Sequence, residues 1–157
     1  MAEAVRLKGL HHVTFVTRDI GAMTRFLEDA VGLHLVKVSV NFDSPDQKHY
    51  FWGDEKGNPG TVVTFFEIPD APENRIGAGG MHHLAFCVED EADLRRQMEK
   101  LDALGISHTG LVDRFYFKAI YFHGPEDLLI EFSTSGPGFG ADGDQVEGKA
   151  GPARRSS

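Results

Sequence analysis

Two pairs of adjacent histidines, His11-His12 and His82-His83, each stand at the head of a short apolar run. The first reads Leu10-His11-His12-Val13-Thr14-Phe15 and the second Met81-His82-His83-Leu84-Ala85-Phe86. An Asp follows the second His of each pair by seven residues (Asp19 after His12, Asp90 after His83). The offset is 83 − 12 = 71 residues, so the chain reads as one unit built twice. Such a repeat can bring equivalent strands together so that matched polar side chains converge. Neutral imidazole is a common metal ligand, and two at matched positions form the start of a metal site.

A carboxylate completes the pattern. Glu131 lies in Asp127-Leu128-Leu129-Ile130-Glu131-Phe132, a stretch that aligns with Gly60-Thr61-Val62-Val63-Thr64-Phe65. An ionised carboxylate among apolar neighbours is costly without a partner, and a metal ion is the strongest partner available. Its repeat mate is Thr64, which binds divalent cations poorly. Two His and one Glu match the facial triad of non-haem Fe(II) oxygenases, which leaves positions open for substrate and O2. The competing reading pairs Glu131 with Arg114 or a His as a buried salt bridge.

The elements that must position these residues follow from periodicity. Residues 10–17 alternate as a strand, with His12, Thr14 and Val16 on one face and Val13, Phe15 and Thr17 on the other. Asp19 is suited to cap a helix over about 20–31, where Met23, Phe26, Leu27 and Ala30 take helical spacing before Gly32 ends it. Leu33–Phe42 reads as a strand, 41–46 as a loop, His49–Trp52 and Thr61–Phe66 as two more strands. The first module, about 8–68, is therefore β-α-β-β-β. Residues 69–80, rich in Pro and Gly, read as a linker. The second module, about 81–135, repeats the order: strand 82–88, helix 91–103, then strands near 108–116, 118–123 and 127–133. Residues 136–157 carry too little apolar surface to offset their ordering entropy and read as a flexible tail.

Composition sets outer limits. A chain of 157 residues with 41% hydrophobic and 25% charged residues suits a soluble globular fold. A net charge of −8 without a Lys/Arg cluster argues against a nucleic-acid partner. No apolar run approaches the roughly 20 residues that span a bilayer, so no membrane role is expected. The single cysteine, Cys87, excludes an internal disulfide and reads as a buried, inert thiol. With no signal-peptide pattern at the N-terminus, the cytoplasm is the expected location.

The β-α-β-β-β repeat, with His on the first strand and Glu on the last, resembles the vicinal oxygen chelate superfamily over about residues 8–135. That group includes glyoxalase I, extradiol dioxygenases and bleomycin-resistance proteins. Three stretches are more specifically similar to hydroquinone and chlorohydroquinone ring-cleaving dioxygenases. They are Leu10-His11-His12-Val13-Thr14, Lys37-Val38-Ser39-Val40-Asn41-Phe42-Asp43, and the unusual Asp113-Arg114-Phe115-Tyr116-Phe117-Lys118-Ala119-Ile120-Tyr121-Phe122. The resemblance implies an α+β fold: two tandem βαβββ modules in one domain, forming a cup-shaped mixed sheet with helices outside. It implies iron ligands at His12, His83 and Glu131, and supporting roles for His11, Thr14, His82, Arg114 and Tyr121. Family members of this kind are about twice as long.

The implied reaction is ring cleavage of a hydroquinone- or catechol-like diol by Fe(II) and O2. A base takes the phenol proton, with Tyr121, His11 and His82 as candidates, while Arg114 orients the substrate or stabilises negative charge on oxygen. Mn, Zn or Ni can replace iron during purification, because affinity order disfavours Fe(II). A homodimer is expected, since such modules commonly pack about a two-fold axis. Phe15, Phe65, Phe86 and Phe132 are assigned to the core. Phe117, Tyr50 and Trp52 are open between substrate walls, core and interface. His34, His49, His108 and His123 lack matched partners and are assigned to surface or loops. Two other functions compete. A glyoxalase- or epimerase-type enzyme usually takes a carboxylate from each module, and Thr64 removes one. A bleomycin-resistance-like ligand-binding protein typically lacks the metal ligands that are all present here.

Overall fold

The computed structural model describes residues 4–143 and 154–155. The chain divides into two compact units with the boundary between Glu73 and Asn74, inside the expected linker.

Unit 1 runs β1 (His12–Thr17), α1 (Ile20–Arg25), a π-helical segment (Phe26–Val31), β2 (His34–Asn41), β3 (Ser44–Gly53) and β4 (Val62–Glu67). Asp19 caps α1 as its sequence position suggests, its side chain accepting from the Ala22 N–H at 2.9 Å. The helix then continues past Arg25 with wider turns than expected. Gly32 closes it in the left-handed region (φ 90°), and both Gly32 and Leu33 donate to the Leu27 carbonyl. Met23, Phe26, Leu27, Ala30 and Val31 are buried, the stripe that the helical spacing marks out. The sheet order is β1-β4-β3-β2, with β1 parallel to β4 and the other pairs antiparallel. Parallel pairing of β1 and β4 needs a crossover, and the helix supplies it.

The loop expected over 41–46 is a tight hairpin instead. Asn41 pairs with Ser44, so only Phe42 and Asp43 turn. Pro45 is tolerated there because the β4 partner of β3 begins only at His49, leaving 44–48 at the sheet margin. Trp52 is fully buried, between Tyr50 (5.9 Å between ring centroids) and Phe65 (5.8 Å). This settles Trp52 as core.

Unit 2 repeats the plan: β5 (Leu84–Val88), α2 (Glu91–Ala103), β6 (Val112–Asp113), β7 (Phe117–His123), a short 3-10 turn (Pro125–Asp127) and β8 (Leu129–Pro137). Asp90 caps α2 through Asp93 N–H at 3.0 Å, so both Asp residues of the repeat do the same work. Leu94 and Leu101 are buried. Arg95 and Lys118 both meet the Glu91 carboxylate, tying α2 to β7. The sheet order is β5-β8-β7-β6, extended by Arg154–Arg155 (β9) beside β6.

Two expectations change here. The strand near 108–116 shrinks to two residues plus one bridge from His108 to Phe122, because Gly110 (φ 73°) and Phe115 (φ 71°) leave the extended region on either side. The expected tail is structured at both described ends: β8 continues to Pro137, Tyr116 Oη bonds Asp142 at 2.7 Å, and Arg154–Arg155 pair. Residues 144–153 and 156–157 lie outside the described residues.

Buried Phe65 stacks on half-buried Phe15, and buried Phe132 meets half-buried Phe86 edge to face, on the side of each sheet opposite the histidines. Fully burying one such ring stabilises by about 1.5–3 kcal/mol. The apolar side of each sheet therefore fixes the strands, and the polar side is left to carry chemistry.

Candidate metal centre

Strand register places the polar side chains of unit 2. In the parallel β5–β8 pair, Ala85 faces Glu131; in the antiparallel β7–β8 pair, Tyr121 faces Glu131. Paired residues project to the same face of a sheet. His83, two residues before Ala85, shares that face, as does Ser133, two residues after Glu131.

These groups converge on one carboxylate. Glu131 is 2% exposed. Its Oε2 lies 2.7 Å from His83 Nε2. Its Oε1 accepts from Tyr121 Oη at 2.8 Å and from Ser133 Oγ at 2.6 Å. Arg114 Nε in turn donates to Tyr121 Oη at 3.2 Å, and its guanidinium lies 5.2 Å from the Tyr121 ring centre. The Arg114 and Tyr121 of the unusual sequence stretch thus sit at the turn and along the second strand of the β6–β7 hairpin. Burial pushes the Tyr121 hydroxyl above its ordinary value, and its bond to Glu131 adds to this while Arg114 opposes it. Of the two partners that the salt-bridge alternative offers Glu131, the His is in place as His83 at 2.7 Å, and Arg114 reaches it only through Tyr121.

Unit 1 carries the matching frame. Thr14 faces Thr64 in the parallel β1–β4 pair, the register position that Ala85 and Glu131 hold in unit 2. Thr64 is therefore the structural counterpart of Glu131, as the sequence alignment indicates. Its Oγ1 donates to Thr14 Oγ1 at 2.9 Å. His12 and Thr14 share the exposed face of β1.

Both histidine pairs have the same geometry. His11 Nδ1 stands 2.9 Å from His12 Nδ1, and His82 Nδ1 stands 2.9 Å from His83 Nδ1. This contact engages Nδ1 of His12 and His83, so Nε2 is the nitrogen each would turn to an ion; in unit 2 His83 Nε2 meets Glu131 Oε2.

The donor set suits a divalent ion. Two ligands at right angles, each about 2.1 Å from one ion, stand about 3 Å apart. The 2.7 Å between His83 Nε2 and Glu131 Oε2 is close to that spacing. Among the described residues no three His, Cys, Asp or Glu side chains gather as a ready set. Unit 2 brings together two of the three expected ligands, and His12 stands on unit 1.

Some residues were placed differently by the sequence. His49, assigned to the surface, lies half-buried with Nε2 2.8 Å from Thr64 Oγ1. Ser133 was not singled out, although its position two residues after Glu131 on one strand was a sufficient signal. Cys87 is exposed rather than buried, because it follows His83 and Ala85 on the polar face of β5. His34 is exposed as expected, while His108 meets Asp102 at 3.2 Å and His123 meets Asp127 at 2.7 Å.

The framework matches known proteins. MhqE of Bacillus subtilis strain 168, named as a candidate ring-cleaving dioxygenase, is 35% identical over 137 residues, covering 84% of this chain and 44% of its own length. The chlorohydroquinone/hydroquinone 1,2-dioxygenase of Sphingobium indicum is 28% identical, over 83% of this chain and 42% of its own length. A crystal structure of a candidate dioxygenase from Bacillus subtilis superposes with a TM-score of 0.76 at 31% identity, covering 83% of this chain and 42% of that one. This chain thus spans less than half the length of these relatives. The profile of the Glyoxalase/Bleomycin resistance protein/Dioxygenase superfamily matches residues 9–132, which takes in both histidine pairs and Glu131. With both βαβββ modules of the vicinal oxygen chelate fold in place across that span, the chain belongs to this superfamily.

Proposed function

We propose that this chain is a non-haem Fe(II)-dependent dioxygenase that cleaves the ring of a hydroquinone- or catechol-like diol with O2. The observation that carries this reading is the buried Glu131 carboxylate, with an imidazole nitrogen at 2.7 Å on one oxygen and two hydroxyl donors on the other. His12, His83 and Glu131 would hold the ion. Bound there, Fe(II) supplies the one-electron chemistry that couples an ionised phenol to O2.

The chain's own residues prepare that chemistry. A ligating His83 must present a lone pair at Nε2, so its proton sits on Nδ1, and His82 Nδ1 accepts it. With an ion bound, His82 would hold His83 in the ligating tautomer, and His11 would do the same for His12. Tyr121 and Ser133 donate to the one Glu131 oxygen that His83 does not contact, which aims the other outward. Tyr121 has its proton committed to Glu131 and its lone pair to Arg114. The guanidinium of exposed Arg114 is the positive group beside this cluster, suited to orient an ionised phenolic oxygen.

The isomerase alternative is weakened at Thr64. Its hydroxyl occupies the register position from which a second carboxylate would come.

Oxygen uptake decides the matter. The chain is loaded anaerobically with Fe(II), hydroquinone is added, and dissolved oxygen and quinol absorbance are followed beside His83→Ala. The expected result is oxygen consumption with loss of the quinol band, absent in the variant. Stoichiometric metal binding without uptake would remove the ring-cleavage assignment.

A further inference from the structure

Unit 1 has no carboxylate at the Thr64 position, yet its polar face is not idle. Three side chains form a continuous hydrogen-bonded row: His49 Nε2 to Thr64 Oγ1 at 2.8 Å, and Thr64 Oγ1 to Thr14 Oγ1 at 2.9 Å. Thr64 is fully buried, His49 half-buried and Thr14 exposed, so the row leads from the sheet outward. The His49 ring is held by Phe66, 4.0 Å away and stacked, and by Phe51 at 4.2 Å. Its nitrogen has little freedom to turn elsewhere.

A hydroxyl has one proton, which makes the row directional. With Thr64 giving its proton to Thr14, as the row is oriented here, Thr64 receives one from His49 Nε2. Thr14 then accepts from Thr64 and keeps its own proton unspent. The opposite tautomer, with the proton on Nδ1, would reverse both bonds, spend the Thr14 proton on Thr64 and leave Thr14 only lone pairs to offer a ligand.

We infer that His49 is a positioning residue: its Nε2–H tautomer, relayed through Thr64, makes Thr14 a hydrogen-bond donor to an anionic or carbonyl oxygen of a ligand on the His12 face. This rests on the reading of that face as part of the substrate site. Burial and, secondarily, the neighbouring His12 hold the His49 pKa below the ordinary imidazole value, which favours the neutral ring. A neutral ring has one proton to place, so the tautomer carries the information.

The first test needs no turnover. Long-range proton–nitrogen correlation spectra of the metal-free full chain, with 15N-labelled imidazoles, report the tautomer of each ring, and His49→Gln identifies the His49 signals. A protonated Nε2 with an unprotonated Nδ1 is expected; the reverse pattern overturns the inference. The second test uses steady-state kinetics with hydroquinone. His49→Leu should raise KM about tenfold, the equivalent of one hydrogen bond lost. His49→Gln, which keeps a donor at similar reach, should recover most of that. An unchanged KM in His49→Leu, with the wild type active, overturns the inference. If the wild type does not turn over quinols, the proposed function fails on its own, and the tautomer alone decides the role of His49.

Discussion

Tyr121 holds a proton that its surroundings encourage it to keep. Burial and the Glu131 carboxylate both disfavour a phenolate, and Arg114 offsets them only in part. The folded value therefore lies above the ordinary 10.0. As pH rises, the unfolded chain releases this proton first, so the stability linked to Tyr121 is complete below about pH 10 and declines as pH climbs through the folded value. Ultraviolet titration of the metal-free protein checks this. The chain has three tyrosines, and subtracting the trace of Tyr121→Phe isolates one. A difference midpoint above the ordinary value is expected, and one below it would show that Arg114 dominates. At this scale the sequence was informative where residues repeat or stand out: the His pairs, Glu131 and the Asp113–Phe122 stretch. It was silent on His49, because its partner Thr64 lies across a strand pair whose register no local pattern reveals, whereas Ser133 stands two residues after Glu131 on one strand, where spacing alone is informative.

Helix ends show how much of an element is set by one residue. Helix α2 closes with Ile106 N–H on the Leu101 carbonyl at 2.9 Å and Gly105 N–H on Asp102 at 3.0 Å. Gly105 adopts φ 69°, and a methyl group built on it meets nothing within 4 Å. Replacing it costs conformational energy without steric clash. Gly105→Ala should lower the free energy of unfolding by about 1–2 kcal/mol, read from the urea midpoint, and Gly105→Asn by less. Equal midpoints for all three proteins would show that the cap does not hold the helix end. Helices and inner strands were legible because apolar spacing and caps agree. The hairpin at Phe42-Asp43 was not, since Asn, Asp, Ser and Pro carry loop chemistry that tertiary pairing overrode. The short β6 escaped for the opposite reason: an apolar run was interrupted by left-handed backbone at Gly110 and Phe115.

For the molecule as a whole, the question is whether two units serve one ion. If His12, His83 and Glu131 share it, anaerobic equilibrium titration gives one Fe(II) per chain. His12→Ala should weaken binding by more than about a hundredfold, beyond the ten- to hundredfold typical of losing an outer partner such as His11. Wild-type affinity in His12→Ala would confine the site to unit 2. The tandem architecture was legible from the 71-residue offset alone, whereas the reach of β8 to Pro137 was not, because Gly136 and Pro137 read as a strand stop.

The parallel pairing of each first strand with its last has a kinetic side. β1 closes onto β4 across 50 residues (His12 to Val62), and β5 onto β8 across 46 (Leu84 to Ile130). Such distant contacts form late and slowly. Meanwhile β1 and β5 follow one plan, each with an imidazole two residues before the position that faces the last strand at Thr64 or Glu131. A chain that is still folding therefore offers β8 two competitors of similar fit, one of its own unit and one not. Between molecules the same resemblance would favour exchange of first strands, and size-exclusion chromatography of protein refolded at high concentration checks for the entangled dimers expected from it. The repeat that lets both units share one strand plan thus also gives each last strand two rival partners while the chain folds.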